Sequence, residues 1–161
     1  MRVDLHTHTM FSGDSTTTLD EIVESVTESG IDVLCVTDHN ALEGAVRLQK
    51  MLEDAGVCRV VVGEEVKTHT GEIIGLFLTE RIPFGETAVK TCELIRRQGG
   101  LVYVPHPFDP MRRNMASRAP PGGKGLITLI GRLGKWDCAC AKAQVRVNPR
   151  AHSQVCWISK R

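Results

Sequence analysis

The sequence predicts an α/β fold in which strands and helices alternate, and three observations support this prediction. The stretch "IDVLCVTDHN" is a continuous apolar run that ends in polar residues, which is typical of a buried parallel strand. Patterns with helical spacing precede and follow this run. Histidines and carboxylates come directly after several predicted strands, as expected where parallel strands bring side chains to one edge of a sheet.

The N-terminal part predicts a strand, a helix, the apolar strand and a second helix, in that order. Residues 2–5 are a short apolar start that predicts the first strand. Thr18 and Glu21 have the spacing of a capping box, and apolar residues at helical spacing continue from there until Gly30. After the apolar strand, a second helix is predicted over residues 41–55.

The next part predicts three more strands and one more helix. "VCRVVVGEEV" and "EIIGLFL" each have the β-branched, apolar composition of a strand. "GETAVKTCELIRRQGG" predicts a helix closed by glycines, and "LVYVPHPF" predicts a strand that its two prolines end. The alternation predicts parallel β/α units joined by right-handed crossovers.

Length and composition are those of one globular domain. The chain has 161 residues, of which 42% are hydrophobic and 24% charged. No apolar run approaches the ~20 residues that span a bilayer, and the N-terminus lacks a secretory pattern. We therefore expect a cytoplasmic protein with no membrane partner, in which the six cysteines are thiols.

The net charge of +1 combines two segments of opposite charge. Residues 1–110 contain 9 Lys and Arg against 18 Asp and Glu, whereas residues 111–161 contain 11 against 1. The strand and helix patterns also stop after about Met115. The sequence therefore predicts a domain over residues 1–114 and a basic, irregular tail over residues 115–161.

Three explanations of the tail remain open. A truncated or frame-altered end is favoured, because charge and patterning change at the same point. The second is a small zinc element, although its Cys-x-Cys spacing departs from the usual Cys-x₂-Cys. Its ligands would be Cys138, Cys140, His152 and Cys156. The third is a basic arm that binds nucleic acid.

The stretch "DLHTHTMFSGDS" places His6 and His8 one residue apart. Residues i and i+2 of a regular strand project from the same face, so both imidazoles can point at one position. Neutral imidazole is a common ligand of zinc, manganese and iron. A lone His-x-His is nevertheless a weak signal, and two partly exposed histidines are the ordinary alternative.

The signal becomes stronger because polar side chains recur after later strands. These residues are Asp38, His39, Glu64, Glu65 and His106. The carboxyl ends of neighbouring parallel strands converge on one edge, and Asp14 lies in a glycine-containing loop that can fold over it. The spacing therefore predicts a metal site at this edge.

Four stretches taken in order resemble the PHP family, the polymerase and histidinol phosphatase superfamily. They are "DLHTHTMFSGDS", "VTDHN", "GEEV" followed by "GEIIGLFL", and "PHPFDP". The resemblance covers residues 1 to about 114. It implies an incomplete, distorted (β/α)₇ barrel whose strand ends bind two or three divalent metals. Members of the family hydrolyse phosphate esters, among them histidinol phosphate, nucleotides, and DNA or RNA ends.

The resemblance also implies the ligands. They are His6, His8, Asp14, His39, Glu65 and His106. Glu65 matches better than Glu64, because the acid of the family directly precedes an aliphatic residue, here Val66. Such mixed ligands favour Zn, Mn or Fe, and we expect two ions. Paired ions position a phosphate and activate a water molecule as the nucleophile, so no catalytic side chain is expected.

Other polar residues have alternative roles. We expect Arg112 and Arg113 to bind the substrate phosphate, with two solvated loop arginines as the equal alternative. Asp38 either orients the adjacent histidine through hydrogen bonds or caps the following helix. His69 and Glu72 are not included among the ligands. Many family members carry a histidine where "EIIGLF" begins, so the resemblance implies Glu72 as an alternative ligand there, whereas His69 lies in a predicted turn and is expected to be exposed.

The resemblance ends after His106, where the late Asp-x-His motif of the family has no counterpart. We expect a metal-dependent phosphoric ester hydrolase that acts on a phosphorylated small molecule, a nucleotide or a nucleic-acid end. One alternative is a non-catalytic, metal-binding remnant of the family. The other is a nucleic-acid-binding module that uses the basic tail.

Overall fold

The structure is a computed structural model, and it describes residues 1–105, 146–147 and 155–157. Its elements in chain order are β1 (Arg2–Thr7), α1 (Leu19–Ser29), β2 (Val33–Val36), α2 (Glu43–Asp54), β3 (Arg59–Thr68), β4 (Gly71–Leu76), α3 (Ala88–Arg97), β5 (Leu101–Tyr103), β6 (Arg146–Val147) and β7 (Val155–Trp157). The predicted boundary at residue 114 and the proposed zinc ligands Cys138, Cys140 and His152 lie outside the described residues. Cys156 lies within β7.

All seven of these strands form one sheet in the order β5-β4-β3-β2-β1-β7-β6. The predicted parallel pairing holds for β1 with β2 and for β2 with β3. It is wrong for β4, which runs antiparallel to both β3 and β5. Only His69 and Thr70 separate β3 from β4. Such a short connection joins antiparallel strands, because a parallel pair needs a crossover of about a dozen residues.

Two short strands lie in the segment predicted to be irregular. β7 pairs antiparallel with β1, opposite Arg2 to Asp4, and β6 pairs antiparallel with β7. They are three and two residues long. Strands of this length contain too few residues for a hydrophobic period, so the sequence pattern did not indicate them.

The sheet curls, so that β5 approaches β1. In a flat sheet with strands ~4.8 Å apart, β1 and β5 would be roughly 19 Å apart, since three strands separate them. The ring centroids of His6 and Tyr103, one on each of these strands, are only 6.5 Å apart. The described elements therefore form a mixed α/β fold with a curled, half-barrel sheet.

Alternate residues of the strands divide between the two faces of this sheet. The concave face has a small apolar cluster formed by Cys35, Val61, Ile74, Leu76 and Tyr103. On the convex face, Leu34 and Val60 pack against α1 and α2, whose buried residues include Ile22 and Leu48. α3 covers the β4–β5 side through Ile95. None of the three described helices therefore covers the concave face, which is where a site can form.

The helix ends agree with the sequence signals. Thr18 and Glu21 form the predicted capping box at the start of α1, and Gly30 ends this helix at φ +63°. Cys35, Cys58 and Cys92 are free thiols, as expected. Among the described residues, no helix combines the length and the apolar composition needed to cross a bilayer.

Candidate metal centre

A β-bulge in β1 directs His6 towards the concave face. Asp4 of β1 pairs with Leu34 of β2, and Thr7 pairs with Val36, so β1 has one more residue than β2 between these two pairs. Leu5 packs against the concave cluster, and the neighbouring His6 also reaches the concave side. Adjacent residues of a regular strand point to opposite faces, so the bulge allows both to point inward. The Asp4 carboxylate accepts a hydrogen bond from the His6 main-chain N–H at 3.0 Å. The strand thus bends where the sequence pattern predicted regular geometry.

The inner group consists of His6, His8 and Glu65, whose ligand atoms converge. Glu65 Oε2 lies 2.9 Å from His6 Nε2 and 3.0 Å from His8 Nε2, and the two nitrogens are 2.9 Å apart. An octahedral ion with bonds of ~2.1 Å holds neighbouring ligand atoms about 3 Å apart. The spacing of the inner group therefore fits one divalent ion.

The outer group consists of His8, Asp14 and His39. Asp14 bridges the two histidines, with Oδ1 at 3.2 Å from His8 Nδ1 and Oδ2 at 3.3 Å from His39 Nε2. A third set joins His39 and Glu65 to Glu72, with its ligand atoms all within 4.8 Å of one another. Because Glu65 belongs to two of the three sets, its carboxylate is in a position to bridge two ions.

The position of His39 against Glu65 is fixed by the main chain. Glu65 N–H donates to the Asp38 carbonyl and Asn40 N–H donates to the Glu65 carbonyl, both at 3.1 Å. The Asn40 side chain also accepts a hydrogen bond from the Lys67 N–H at 3.3 Å. Asn40 adopts φ +50°, a left-handed conformation that asparagine tolerates better than most residues. These bonds connect the end of β2 to β3 on both sides of His39.

Asp38 links the segments that follow β1 and β2. Its carboxylate is fully buried and accepts hydrogen bonds from Thr9 N–H at 2.6 Å and from the Thr9 hydroxyl at 2.7 Å. Burial raises the pKa of Asp38, and the bonds from Thr9 oppose this shift. The N-cap of α2 is Leu42, which makes no side-chain capping bond. Asp38 therefore does not cap α2, and the positioning alternative is the one that the contacts support.

The charges around His8 and Asp14 favour a cation. Burial acts to lower the pKa of His8, but hydrogen bonding and charge from Glu65, together with Asp14, outweigh it and raise this pKa. Burial acts to raise the pKa of Asp14, but the Ser12 hydrogen bond and the charges of His8 and His39 outweigh it and lower that pKa. The site thus attracts positive charge, whether a proton or a metal ion.

Of the two adjacent glutamates, only Glu65 lies among the histidines. Glu64 points to the other face of the sheet, where it is buried and accepts a hydrogen bond from Ile82 N–H at 2.9 Å. Arg81 Nε lies 3.9 Å from its other oxygen. Burial raises the pKa of Glu64. Glu64 therefore anchors the segment after β4 and does not face the candidate centre.

The structure brings five predicted ligands together and leaves the others undescribed. The five are His6, His8, Asp14, His39 and Glu65. His106, Arg112 and Arg113 lie outside the described residues. β5, the described strand that precedes them in the chain, reaches the site, because Tyr103 is paired with Ile74 and Ile74 with Glu65.

Two residues of the site were not among the predicted ligands, although the resemblance had offered Glu72 as an alternative ligand. Glu72 is in the third set because it lies on β4 opposite Lys67, a pairing that depends on the unpredicted hairpin. The Ser12 hydroxyl contacts both His8 and Asp14. The available signal for Ser12 was its place in the loop between these two ligands. His69, by contrast, is exposed and belongs to none of the three sets.

Comparison with known proteins gives one family. Residues 4–133 match the sequence model of the family described as "PHP domain". An uncharacterized protein of Methanocaldococcus jannaschii is 41% identical over 128 residues, which cover 73% of this chain and 74% of the relative. A second uncharacterized protein of that organism is 35% identical over 118 residues, covering 73% of this chain and 44% of the relative. A probable phosphatase of Vibrio campbellii is 49% identical over 79 residues, covering 43% of this chain and 32% of the relative. The match thus spans less than half of the last two relatives.

Proposed function

The chain belongs to the PHP domain family, and from this premise we propose that it hydrolyses phosphate esters with the help of divalent metal ions. The similarity to a probable phosphatase supports this class of reaction. The observation that carries the proposal is the convergence of two imidazole nitrogens and one buried carboxylate oxygen at mutual distances of 2.9–3.0 Å. The described strands form a half-barrel. We extend the proposal to the fold, as an incomplete (β/α)₇ barrel of which this half-barrel is a part.

The donor atoms suit Zn, Mn or Fe, because imidazole nitrogen and carboxylate oxygen together are poorly matched to Ca or Mg. In the proposal, His6, His8 and Glu65 would hold one ion. Asp14 and His39 would hold a second ion, and Glu65 would be within reach of both. When bound, such ions lower the pKa of water and neutralise charge on a phosphate.

The exposure of the side chains gives the direction of substrate approach. Glu65 and His6 are 1% and 9% exposed and form the inner end, whereas His39 is 22% and Asp14 50% exposed. A phosphate therefore reaches the centre from the Asp14 side, and the buried Glu65 carboxylate keeps the two histidines in place. The proposed substrates are a phosphorylated small molecule or a nucleotide. Arg112 and Arg113 stay candidates for binding their phosphate.

The test uses chelator-treated protein reloaded with Mn²⁺ or Zn²⁺. Metal content is measured by mass spectrometry, and hydrolysis is measured with p-nitrophenyl phosphate and its bis-ester. We expect wild type to bind metal and to turn over at least one ester, and Glu65→Gln to lose both properties. His69→Ala is the matched control, because His69 is exposed and outside the three sets, and it should keep both.

The possible results separate the enzyme from its alternative. Metal binding without turnover in wild type would favour a non-catalytic remnant of the family. Equal metal content and equal activity in wild type, Glu65→Gln and His69→Ala would show that the inner group is not the centre.

A further inference from the structure

One buried hydroxyl contacts three residues of the candidate centre. Ser12 is 3% exposed. Its Oγ lies 2.5 Å from Asp14 Oδ1, 3.0 Å from His8 Nδ1 and 3.1 Å from the main-chain nitrogen of His39. These contacts join the loop after β1 to the end of β2.

The hydrogen-bonding capacity of a hydroxyl, one donor and two acceptor sites, assigns the proton in each of these contacts. The His39 main-chain N–H can only donate, so it occupies one acceptor site of Ser12 Oγ. An ionised Asp14 carboxylate can only accept, so the hydroxyl hydrogen points to Asp14. Ser12 therefore has only an acceptor site left for His8 Nδ1, and that nitrogen must carry a hydrogen.

The second neighbour of His8 Nδ1 leads to the same assignment. Asp14 Oδ1 lies 3.2 Å from this nitrogen and is also an acceptor. With the hydrogen on Nδ1, Nε2 is the ring nitrogen that offers its lone pair when a metal ion, and not a proton, lies between it and the Glu65 carboxylate. Nε2 is the atom that lies 2.9 Å from His6 Nε2 and 3.0 Å from Glu65 Oε2.

We infer that Ser12 is a positioning residue: its hydroxyl holds His8 in the Nδ1–H form, with the Nε2 lone pair aimed at the point shared with His6 and Glu65. The hydrogen bond made by one ring nitrogen commonly sets which nitrogen is free to bind a metal. The same hydroxyl fixes the main chain of His39 and the carboxylate of Asp14, so it also sets their spacing. The inference depends on the proposed function only for the statement that a metal ion binds at Nε2 of His8. The assignment of the proton to Nδ1 does not depend on it.

The first experiment uses metal-free protein and does not depend on ion binding. Nitrogen-15 NMR of the imidazole rings, at a pH where His8 is neutral, reports which ring nitrogen is protonated. We expect the Nδ1–H form of His8 in wild type and a mixture of both forms in Ser12→Ala, where the Asp14 oxygen is the remaining acceptor. An Nε2–H form in wild type would overturn the inference.

The second experiment titrates the same proteins with Zn²⁺ or Mn²⁺ by calorimetry. We expect Ser12→Ala to bind the ion about 10–100-fold more weakly, as is usual when a residue that orients a ligand is removed. Ser15→Ala is the matched control, because Ser15 lies in the same loop and its hydroxyl donates to the main-chain carbonyl of His8 at 3.4 Å, not to the ring. It should bind the ion as wild type does, and Ser12→Thr, which restores a hydroxyl, should recover part of the affinity.

Equal affinities in Ser12→Ala and Ser15→Ala would overturn the positioning role. If Ser12→Ala does not fold, the wild-type NMR assignment and the ion affinity of Ser12→Thr still test the role of Ser12. If wild type shows the Nδ1–H form and binds no ion, the proposed function fails while the assignment to Ser12 stands.

Discussion

The inner group concentrates polar atoms that are costly to bury unless a cation is present. Glu65 is fully buried, and one of its oxygens contacts the Nε2 atoms of both His6 and His8. A buried carboxylate is destabilising unless a positive charge or hydrogen bonds compensate it. Two nitrogens 2.9 Å apart cannot both present lone pairs to each other without a proton or an ion between them. Protons and metal ions are therefore expected to compete for this site.

His8 should make the stability of the metal-free protein depend on pH. The pKa of His8 is raised in the folded state, because Glu65 and Asp14 outweigh the opposing effect of burial. Protonated His8 therefore stabilises the fold at pH values below its unfolded pKa, and this contribution is lost as pH rises through the folded pKa. Urea unfolding across this range should show the decrease, and an NMR titration should give the pKa directly.

Glu65→Gln serves as the comparison, since it removes the strongest effect that raises the pKa of His8. Its His8 pKa should be lower than that of wild type. A wild-type His8 pKa at or below the ordinary histidine value would contradict the charge distribution described for this site.

At the scale of single residues, the sequence was enough to propose five side chains that the structure brings together, but not the residue that orients them. His6 and Glu65 lie within β1 and β3, and His8 and His39 come just after β1 and β2. These three strands are parallel neighbours, so the rule that parallel strands bring side chains to one edge was enough to group the four residues. Ser12 and Glu72 depend on the path of a loop and on the register of a hairpin. Neither of these is encoded in hydrophobic periodicity.

At the scale of elements, the close contact of α2 with the loop after β1 determines how the ligand segments fit together. Gly44 lies in the first turn of α2, and a Cβ there would be 2.3 Å from both Asp38 Oδ2 and Thr9 Oγ1. Both atoms take part in the hydrogen bond that connects the segments of His8 and His39. The absence of a side chain at Gly44 is therefore a packing requirement.

Gly44→Ala should destabilise the protein, although the same change within a helix ordinarily stabilises by about 1 kcal/mol. The added methyl group displaces Asp38 or Thr9 and disrupts their buried hydrogen bonds, with an expected cost of about 2 kcal/mol. Urea unfolding measures the change, and ion affinity should fall with it. Gly13→Ala is the control, because a Cβ at Gly13 meets nothing within 4 Å. Equal stabilities of the two variants would show that α2 tolerates a side chain at this contact.

The elements themselves were largely predictable, whereas their pairing was only partly so. α1 begins and ends at the predicted capping box and glycine, because these signals are local. β4 was predicted as a strand, but its antiparallel direction follows from the two-residue connection and not from its composition. The bulge in β1 was also missed, since its one extra residue leaves no trace in the pattern of apolar residues.

At the scale of the whole molecule, the candidate centre joins segments that are far apart in the chain. The inner group links β1 to β3, and the outer group adds the end of β2. An ion that binds only the folded arrangement stabilises the whole chain, by about 2.7 kcal/mol when its concentration is 100-fold above the Kd. Mn²⁺ should therefore raise the thermal unfolding midpoint of wild type and of His69→Ala, and a chelator should reverse the effect. The same increase in Glu65→Gln would place the ion elsewhere.

The global fold was the least predictable level. An α/β class follows from alternating patterns, but the curl that brings Tyr103 of β5 close to His6 of β1 depends on the twist and closure of the whole sheet. The placement of β7 beside β1 joins the two ends of the chain, a contact that no local pattern predicts. The opposite net charges of residues 1–110 and 111–161 were visible in the sequence, but net charge bears on solubility and binding partners and not on the fold.

The most direct test of the account is anomalous diffraction from crystals of the Zn²⁺-loaded protein, with data collected at the zinc absorption edge. We predict an anomalous peak ~2.0–2.2 Å from His6 Nε2, His8 Nε2 and Glu65 Oε2. A protein that binds zinc with no peak at this position, or with these three side chains turned away from one another, would contradict the central claim that they form a metal centre.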